Sequence, residues 1–403
     1  MPSFRSRSVV LDDEVRPATV RWESGVVVDV GDGLADHDYG DLAVLPGLVD
    51  SHVHVNEPGR TDWEGFATAT KAAFAGGTTT IVDMPLNSVP PTTTVDALAA
   101  KRQAANGQLR VDVAFWGGIV PDSTDNLEPL IRAGVCGFKV FLADSGVPEY
   151  PPVEVEILFG LGLDVPILVH AETPDLLGEA GPTYADYLAS RPPAAEATAI
   201  RSVAGLDSPV HILHVSSADG VHAVASSTGV SGETCPHYLI FTDDDVTGVA
   251  FKCAPPIRDR EHQEALWAGL TSGTLSAVVS DHSPSPPELK KGDFASAWGG
   301  ISSLQIRLPI VWSGAAERGI GLATLADWLS LGPARLAGLA DRKGSIAVGK
   351  DADFVVFDPD GETRVKGEDL HHRHPLSPYE GMRLRGRVAD TILGSPARML
   401  TRK

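Results

Sequence analysis

The chain has 403 residues, of which 43% are apolar and 21% charged, and it carries a formal net charge of −20. These proportions are normal for a globular protein, and the apolar runs are too short and too often interrupted to predict a transmembrane helix. The acidic balance excludes the basic surface that nonspecific nucleic-acid binding needs. We therefore expect neither a nucleic acid nor a membrane as a partner.

The three cysteines, Cys136, Cys235 and Cys253, are far apart and form no Cys-x-x-Cys motif. They give no disulfide framework, which is typical of a reducing compartment. The first residues also lack the apolar core of a signal peptide. We expect a cytoplasmic protein.

The first predicted elements are short strands at 7–11, 19–22 and 25–30, separated by polar or Gly-containing turns. This pattern is typical of an antiparallel sheet. The middle of the chain instead alternates apolar runs with longer helical stretches such as 63–74, which indicates parallel βα units. Eight runs are counted, at 48–55, 79–84, 111–116, 137–142, 166–171, 210–215, 230–235 and 275–280. They predict an α/β fold, a closed (β/α)8 TIM barrel.

Short strands return after Gly344, at 353–357 and 382–385. The two ends of the chain are therefore predicted to form one small β-sandwich, with the barrel inserted between them. The expected limits are 1–46 for the N-terminal part of the sandwich, 47–343 for the barrel and 344–403 for the C-terminal part.

His52 and His54 stand two residues apart near the end of the first run. Because side chains alternate across a strand, both imidazoles are expected on one face. Two neutral imidazoles suit a first-row divalent metal. Two strand histidines satisfied by hydrogen bonds are the alternative, and the pair alone does not decide between the two interpretations.

Four further polar residues belong to later runs: Lys139 to the fourth, His170 to the fifth, His214 to the sixth and Asp281 to the eighth. Each has an ordinary alternative, as a lysine reaching solvent, a satisfied core histidine or a helix-capping aspartate. Barrel enzymes place their chemistry at the C-terminal ends of the strands. Six such residues at one end are improbable by chance, and together they predict a metal site.

These positions, with the tail GSIAVGKDAD at 344–353, closely resemble the cyclic amidohydrolases of the amidohydrolase superfamily over nearly the whole chain. The resemblance implies two divalent metal ions, with His52, His54 and Asp281 on the first and His170 and His214 on the second. It also implies that Lys139 is carboxylated by carbon dioxide and bridges the two. A lysine beside two cations has a depressed pKa, which favours carbamate formation. Zinc suits the set, and manganese, cobalt or iron also fit it.

Several strings resemble the allantoinase branch: NEPGRTDWEGF at 56–66, MPLNS at 84–88, FWGG at 115–118, KCAPPIR at 252–258 and SDHSP at 280–284. Dihydroorotases have a carboxylate-binding arginine where this chain has Asn56, and hydantoinases have a tyrosine where it has Asp144. Loss of a bidentate arginine is not a neutral change. Both departures count against those branches.

The resemblance implies hydrolysis of the cyclic ureide allantoin to allantoate by a hydroxide that bridges the metals. Asp281 is the expected catalytic residue, which takes a proton from the hydroxide and returns it to the leaving ring nitrogen. The expected substrate contacts are Asn87, Asp144, Ser145, Cys253, Ala254, Ser283 and Gly299. Those near Ala254 and Gly299 are expected from the main chain.

His237, at the end of the seventh run, is expected either behind the ligands or at the substrate, or else in a structural role. His371, His372 and His374 form a second cluster, which we interpret as satisfied or solvated rather than metal-binding. Two alternative functions stay open: a hydantoinase or dihydropyrimidinase, and a non-catalytic scaffold that has lost its ligands. All six ligand positions are filled here, which counts against the scaffold. A homo-oligomer, a dimer or a tetramer, is expected.

Overall fold

The computed structural model describes residues 1–402. Its strands lie in two groups, one at the ends of the chain and one in the middle. They are β1 (Ser3–Leu11), β2 (Glu14–Glu23), β3 (Val26–Gly31), β4 (His37–Asp38), β5 (Ala43–Pro46), β6 (Leu48–Val53), β7 (Thr78–Asp83), β8 (Asp112–Phe115), β9 (Gly117–Gly118), β10 (Phe138–Phe141), β11 (Ile167–His170), β12 (Val210–Ile212), β13 (Val230–Thr234), β14 (Ala277–Val278), β15 (Asp353–Arg364) and β16 (Arg383–Leu393).

The two ends of the chain share one seven-stranded sheet, in the order β16-β15-β5-β1-β2-β3 with β4 beside β1. The predicted antiparallel pairing of β1, β2 and β3 is confirmed. β15 lies antiparallel to β5, so the C-terminal segment joins the N-terminal one directly. Phe4 and Phe354 meet edge to face in the apolar cluster on this sheet, at 4.9 Å between ring centroids.

The eight predicted apolar runs form a ring of parallel strands, which confirms the TIM-barrel-like core. β8 and β9 together make the third strand, interrupted at the fully buried Trp116. The ring closes where Val53 pairs in parallel with His282, and the His54 N–H donates to the His282 carbonyl oxygen at 2.8 Å. Closure brings the C-terminal ends of all the strands to one face.

Helices connect the barrel strands and cover the outside of the ring. They are α1 (Phe66–Ala75), α2 (Val95–Ala105), α3 (Leu127–Arg132), α4 (Tyr184–Ser190), α5 (Pro193–Ser202), α6 (Ala218–Ser226), α7 (Pro236–Ile240), α8 (Arg260–Thr271), α9 (Arg307–Glu317), α10 (Leu322–Ala326) and α11 (Gly332–Leu336). None of the helices described between residues 1 and 402 is both long and apolar enough to cross a membrane.

The crossover between β10 and β11 departs from the βα pattern. It contains a short 3-10 turn, Val155–Leu158, and no α-helix among the described residues. Pro148, Pro151 and Pro152 remove backbone donors and restrict φ there, which is unfavourable for a helix. This segment is instead a loop at the C-terminal face of the barrel.

A buried ion cluster joins the barrel to the terminal sheet. The ammonium of Lys343, whose side chain is 2% exposed, lies 2.6 Å from Asp112 at the start of β8 and 2.9 Å from Asp351. It also pairs with Asp353 at the start of β15. Lys343 therefore bridges carboxylates from both parts of the fold. Arg342 and Arg398 also pair with Asp351, and the backbone N–H of Arg398 donates to Asp112 at 2.8 Å.

We predict that Lys343→Met destabilises the protein by about 3–5 kcal/mol, because it leaves the buried Asp353 without its cation and removes one partner of Asp112 and Asp351. Lys366→Met is the matched control, since Lys366 is half-exposed and lies 3.9 Å from its partner Glu368. Urea unfolding followed by far-UV circular dichroism measures both variants. Equal midpoints for the two would show that the cluster does not join the two parts.

Candidate metal centre

Six polar side chains from five barrel strands meet at the C-terminal face of the barrel, and each residue is at most 8% exposed. They are His52, His54, Lys139, His170, His214 and Asp281. The backbone of His214 has φ 39° and that of Asp281 has φ 43°. Positive φ is uncommon outside glycine and clusters at functional sites, because the surrounding structure must offset the strain.

Asp281 lies between the two histidines of the first strand. Its Oδ1 is 3.1 Å from His52 Nε2 and 3.5 Å from His54 Nε2. On the other side of the centre, His170 Nδ1 lies 3.0 Å from His214 Nε2. The residues predicted to bind the first metal, His52, His54 and Asp281, thus form one group. Those predicted for the second, His170 and His214, form another.

The unpaired polar atoms at this centre fit bound cations. Among the described residues, His52 Nε2, His54 Nδ1 and His214 Nδ1 are buried and have no hydrogen-bond partner. The contact between His52 Nε2 and Asp281 is short but lacks the geometry of a hydrogen bond. Buried polar atoms are rarely left unpaired without a reason. Imidazole nitrogens and a carboxylate oxygen are suitable ligands for first-row divalent metals.

Lys139 is buried without a carboxylate ion pair or a hydrogen bond to its ammonium among the described residues. Its Nζ lies 4.8 Å from the centroid of the Phe141 ring, which in turn stacks on His170. Burial lowers the pKa of Lys139 to about 8. The neutral amine, the form that adds to carbon dioxide, is therefore far more populated near neutral pH than in an exposed lysine.

The protonation states of His54 and Asp281 also suit cation binding. Burial lowers the pKa of His54 to about 3, so its imidazole is neutral and keeps a free lone pair. Burial alone would raise the pKa of Asp281, but the neighbouring His52 holds it well below its usual value. Asp281 is therefore a carboxylate that can accept a proton only from a strong donor or during a reaction.

Two carboxylates behind the centre hold its histidines. Glu233 Oε1 accepts a hydrogen bond from His52 Nδ1 at 2.8 Å, and Glu172 Oε2 lies 2.8 Å from His170 Nε2. Arg191 pairs with Glu172. Sequence reasoning missed these residues. Glu172 follows His170 by two positions, just beyond the end of β11, and that spacing was the available signal.

A cavity of about 520 Å³ opens above the centre. All seven predicted substrate contacts line it: Asn87, Asp144, Ser145, Cys253, Ala254, Ser283 and Gly299. Its size is in the range of small-molecule sites. The structure therefore brings the predicted metal ligands and the predicted substrate contacts to one place.

The seven residues differ in what they leave free for a ligand. The side-chain polar atoms of Asn87 and Ser283 make no hydrogen bond to the described residues. The backbone N–H groups of Ala254 and Gly299 are free in the same way. By contrast, the Ser145 hydroxyl donates to the Tyr150 carbonyl oxygen at 2.7 Å.

Two other predicted contacts are also occupied in part. Asp144 is exposed, and its Oδ1 accepts from the Gly146 N–H at 3.0 Å. The Cys253 carbonyl oxygen accepts from the Tyr187 hydroxyl at 2.9 Å. With Ser145, these residues shape the wall of the cavity but have fewer free polar groups.

Asn56 lies outside the cavity lining. It is fully buried, and its side-chain amide donates to the Pro284 carbonyl oxygen at 3.3 Å. No group at this position can bind a substrate carboxylate.

His237 is fully buried, and neither ring nitrogen has a hydrogen-bond partner among the described residues. One ring nitrogen, the Cys235 thiol and an Asp281 oxygen lie within 4.8 Å of one another. Burial lowers the pKa of His237 to about 4, which keeps the ring neutral. His237 is therefore beside the centre but does not line the cavity.

The second histidine cluster is separate from the centre. His374 Nε2 lies 2.7 Å from the Asp62 carbonyl oxygen, and the ring of the buried His372 packs 5.6 Å from that of His282. No metal-ligand group of the described residues includes His371, His372 or His374.

The chain is similar to several known proteins over nearly its full length. The profile of the amidohydrolase family matches residues 43–395. The allantoinase of Streptomyces avermitilis is 47% identical, covering 97% of this chain and 93% of its own length. That of Saccharomyces cerevisiae is 40% identical, covering 97% and 94%. L-Hydantoinase (dihydropyrimidinase) from Arthrobacter aurescens superposes with a TM-score of 0.90 at 30% identity, covering 100% of this chain and 98% of that one. The predicted relationship is confirmed, and the chain belongs to the amidohydrolase family.

Proposed function

We propose that this protein is an allantoinase, which opens the hydantoin ring of allantoin with water to give allantoate. The observation that carries the proposal is the cluster of six buried polar side chains, five of which line a cavity of about 520 Å³, with His52 directly behind Asp281. The high identity to allantoinases over nearly the full chain supports the choice of substrate.

Two divalent cations fit the centre. His52, His54 and Asp281 would hold one, His170 and His214 the other, and a carboxylated Lys139 would bridge them. Bound there, the cations would supply Lewis acidity that polarises an amide carbonyl and lowers the pKa of water. Zinc suits these ligands best, and manganese, cobalt or iron remain compatible with them.

The residues of the chain supply the proton transfer and the orientation of the ring. Asp281 accepts a proton from the attacking water and delivers it to the ring nitrogen as the amide bond breaks. Asn87, Ser283 and the free backbone N–H groups of Ala254 and Gly299 hold the ring amide and the ureido arm. Asp144, Ser145 and Cys253 form the wall, and His237 supports the centre from behind.

A hydantoinase is the second candidate, favoured by the superposition on the Arthrobacter aurescens enzyme. Two observations argue against it. The position of the hydantoinase tyrosine holds Asp144, which is exposed at the cavity. Tyr150, the next tyrosine along the chain, donates its hydroxyl to the Lys139 carbonyl oxygen at 2.7 Å and is not part of the cavity lining.

The domain limits, the location and the assembly of the protein belong to the same proposal. We propose a barrel at 47–343, and a β-sandwich formed by the N-terminal segment 1–46 and the C-terminal segment 344–403. The protein works in the cytoplasm as a homo-oligomer, a dimer or a tetramer, on a small cyclic ureide.

We predict that Lys139→Ala loses the ability to retain two cations and loses activity by several orders of magnitude, with the fold kept. The bridge between the two ligand groups is then absent. Metal analysis after gel filtration and an allantoin assay measure both effects, with the exposed Lys71→Ala as control. Short carboxylic acids added to Lys139→Ala should restore part of the activity. Full activity without them would rule out the carboxylated lysine.

Asp281→Asn should behave differently, because it keeps size and some ligation but removes the proton acceptor. We expect a modest fall in metal content and a loss of roughly 10²–10⁴-fold in kcat. Metal content and kcat are measured on the same preparation. Unchanged turnover at normal metal content would assign the proton transfer to another group.

A substrate panel tests the choice of ring. We expect a strong preference for allantoin over hydantoin and dihydrouracil. Without the ureido arm, the polar groups that bind it are left unpaired, and this can lower kcat/KM by about 10⁴-fold. Dihydroorotate should not react, since Asn56 offers no carboxylate partner. The measurement is kcat/KM for the four compounds. Comparable values for hydantoin and allantoin would move the protein to the hydantoinases.

A further inference from the structure

A chain of buried polar side chains runs through the barrel below the metal centre. Ser231 Oγ lies 2.8 Å from His211 Nδ1, and His211 Nε2 lies 3.2 Å from Glu233 Oε2. The other oxygen of Glu233 lies 2.8 Å from His52 Nδ1. His211, Glu233 and His52 are each at most 1% exposed. We call Ser231, His211, Glu233 and His52 the relay.

The strand register explains how the relay forms. His211 on β12 pairs with Ser231 on β13, and Glu233 follows Ser231 by two positions on the same side of the strand. Inward positions of such barrels are normally filled by branched apolar side chains. A buried carboxylate is costly unless it is fully hydrogen-bonded. Here both oxygens of Glu233 are used, one by each histidine.

The relay reaches the opposite end of the barrel from the substrate cavity. His211 and Ser231 line a second cavity of about 570 Å³, together with residues that precede β14. Neither His211 nor Glu233 lines the substrate cavity. Their hydrogen-bonded connection to the centre is through His52.

The hydrogen-bond direction fixes the state of His52. A carboxylate can only accept, so Glu233 requires the proton of the His52 imidazole to be on Nδ1. In the neutral ring the lone pair is then on Nε2, the atom that faces Asp281 at 3.1 Å. The same argument places a proton on His211 Nε2, so His211 holds Glu233 in the orientation that His52 needs.

We propose that Glu233 and His211 are positioning residues that hold His52 in its Nδ1–H tautomer and so set the cation affinity of the centre. The claim that these residues set the cation affinity rests on the proposed metal centre. Partners behind a ligating histidine typically change metal affinity by about 10–100-fold. Neither residue touches the substrate in this proposal.

The test uses four full-length variants: Glu233→Met, Glu233→Gln, His211→Gln and, as control, His222→Gln on the exposed side of α6. Zn²⁺ affinity is measured by competition with a chromogenic chelator at fixed pH, and the tautomer of His52 by ¹⁵N NMR of histidine-labelled, metal-free protein. Thermal unfolding monitors the fold.

We expect Glu233→Met to weaken Zn²⁺ binding by about 10–100-fold and to give His52 a mixture of tautomers. Glu233→Gln should recover part of the affinity, because its amide oxygen can still accept from Nδ1–H. His211→Gln should fall between Glu233→Met and the wild type, and His222→Gln should equal the wild type. If Glu233→Met does not fold, His211→Gln decides the question.

Wild-type affinity and a wild-type tautomer in folded Glu233→Met, or in His211→Gln, would overturn the proposal. A change in thermal stability alone, without a change in affinity or tautomer, would also overturn it and leave the relay a structural feature. Wild-type protein that binds Zn²⁺ but does not turn over allantoin would contradict the proposed substrate and leave the relay intact. Protein that binds no Zn²⁺ would refute the affinity claim directly.

Discussion

Closure of eight parallel strands into one ring is the constraint on which the site depends. The six polar side chains of the centre, the first at His52 and the last at Asp281, meet only because every strand points its C-terminal end to the same face. The backbone hydrogen bond of His54 to His282 joins the first strand to the segment that follows the last strand. Within each strand, the alternation of side chains decides which residues face inward. The ion cluster of Lys343 then fixes the start of β8 against the terminal sheet.

The interior of this barrel is unusual in its polarity. A barrel filled with apolar side chains would be simpler to stabilise, because each buried polar group must recover the hydrogen bonds that it loses from water. Here Glu233 and Glu172 accept hydrogen bonds from His52 and His170, and Arg191 pairs with Glu172. His52 Nε2, His54 Nδ1 and His214 Nδ1 have no hydrogen-bond partner among the described residues, so bonding capacity is left over where cations fit.

Sequence patterns predicted the ring and its six polar side chains because both follow from local regularities. Apolar runs define strands, and a polar residue at the end of such a run is visible without knowledge of its neighbours. The helix-free fourth crossover was not anticipated, although its prolines are consistent with it. The hydrogen bond from Ser145 to Tyr150 could not be predicted either, since it depends on how that loop folds back.

The same limit applies to Glu233, which sequence alone presents as one polar residue in a strand. Its importance lies in contacts with His52, 181 positions earlier, and with His211 on the neighbouring strand. Only the closed ring brings them together. Asn56, by contrast, could be interpreted from the sequence alone, because an asparagine cannot form an ion pair with a substrate carboxylate. The structure adds that its side chain is buried and hydrogen-bonded to Pro284.

Reconstitution of metal-free protein tests the central claim most directly. Allantoate formation is followed after addition of zinc, manganese, cobalt or iron, each with and without bicarbonate. A two-cation centre bridged by carboxylated Lys139 predicts no turnover without metal, and full turnover with about two equivalents of a suitable metal when bicarbonate is present. Full activity of the metal-free protein, or no allantoate with any metal, would contradict it.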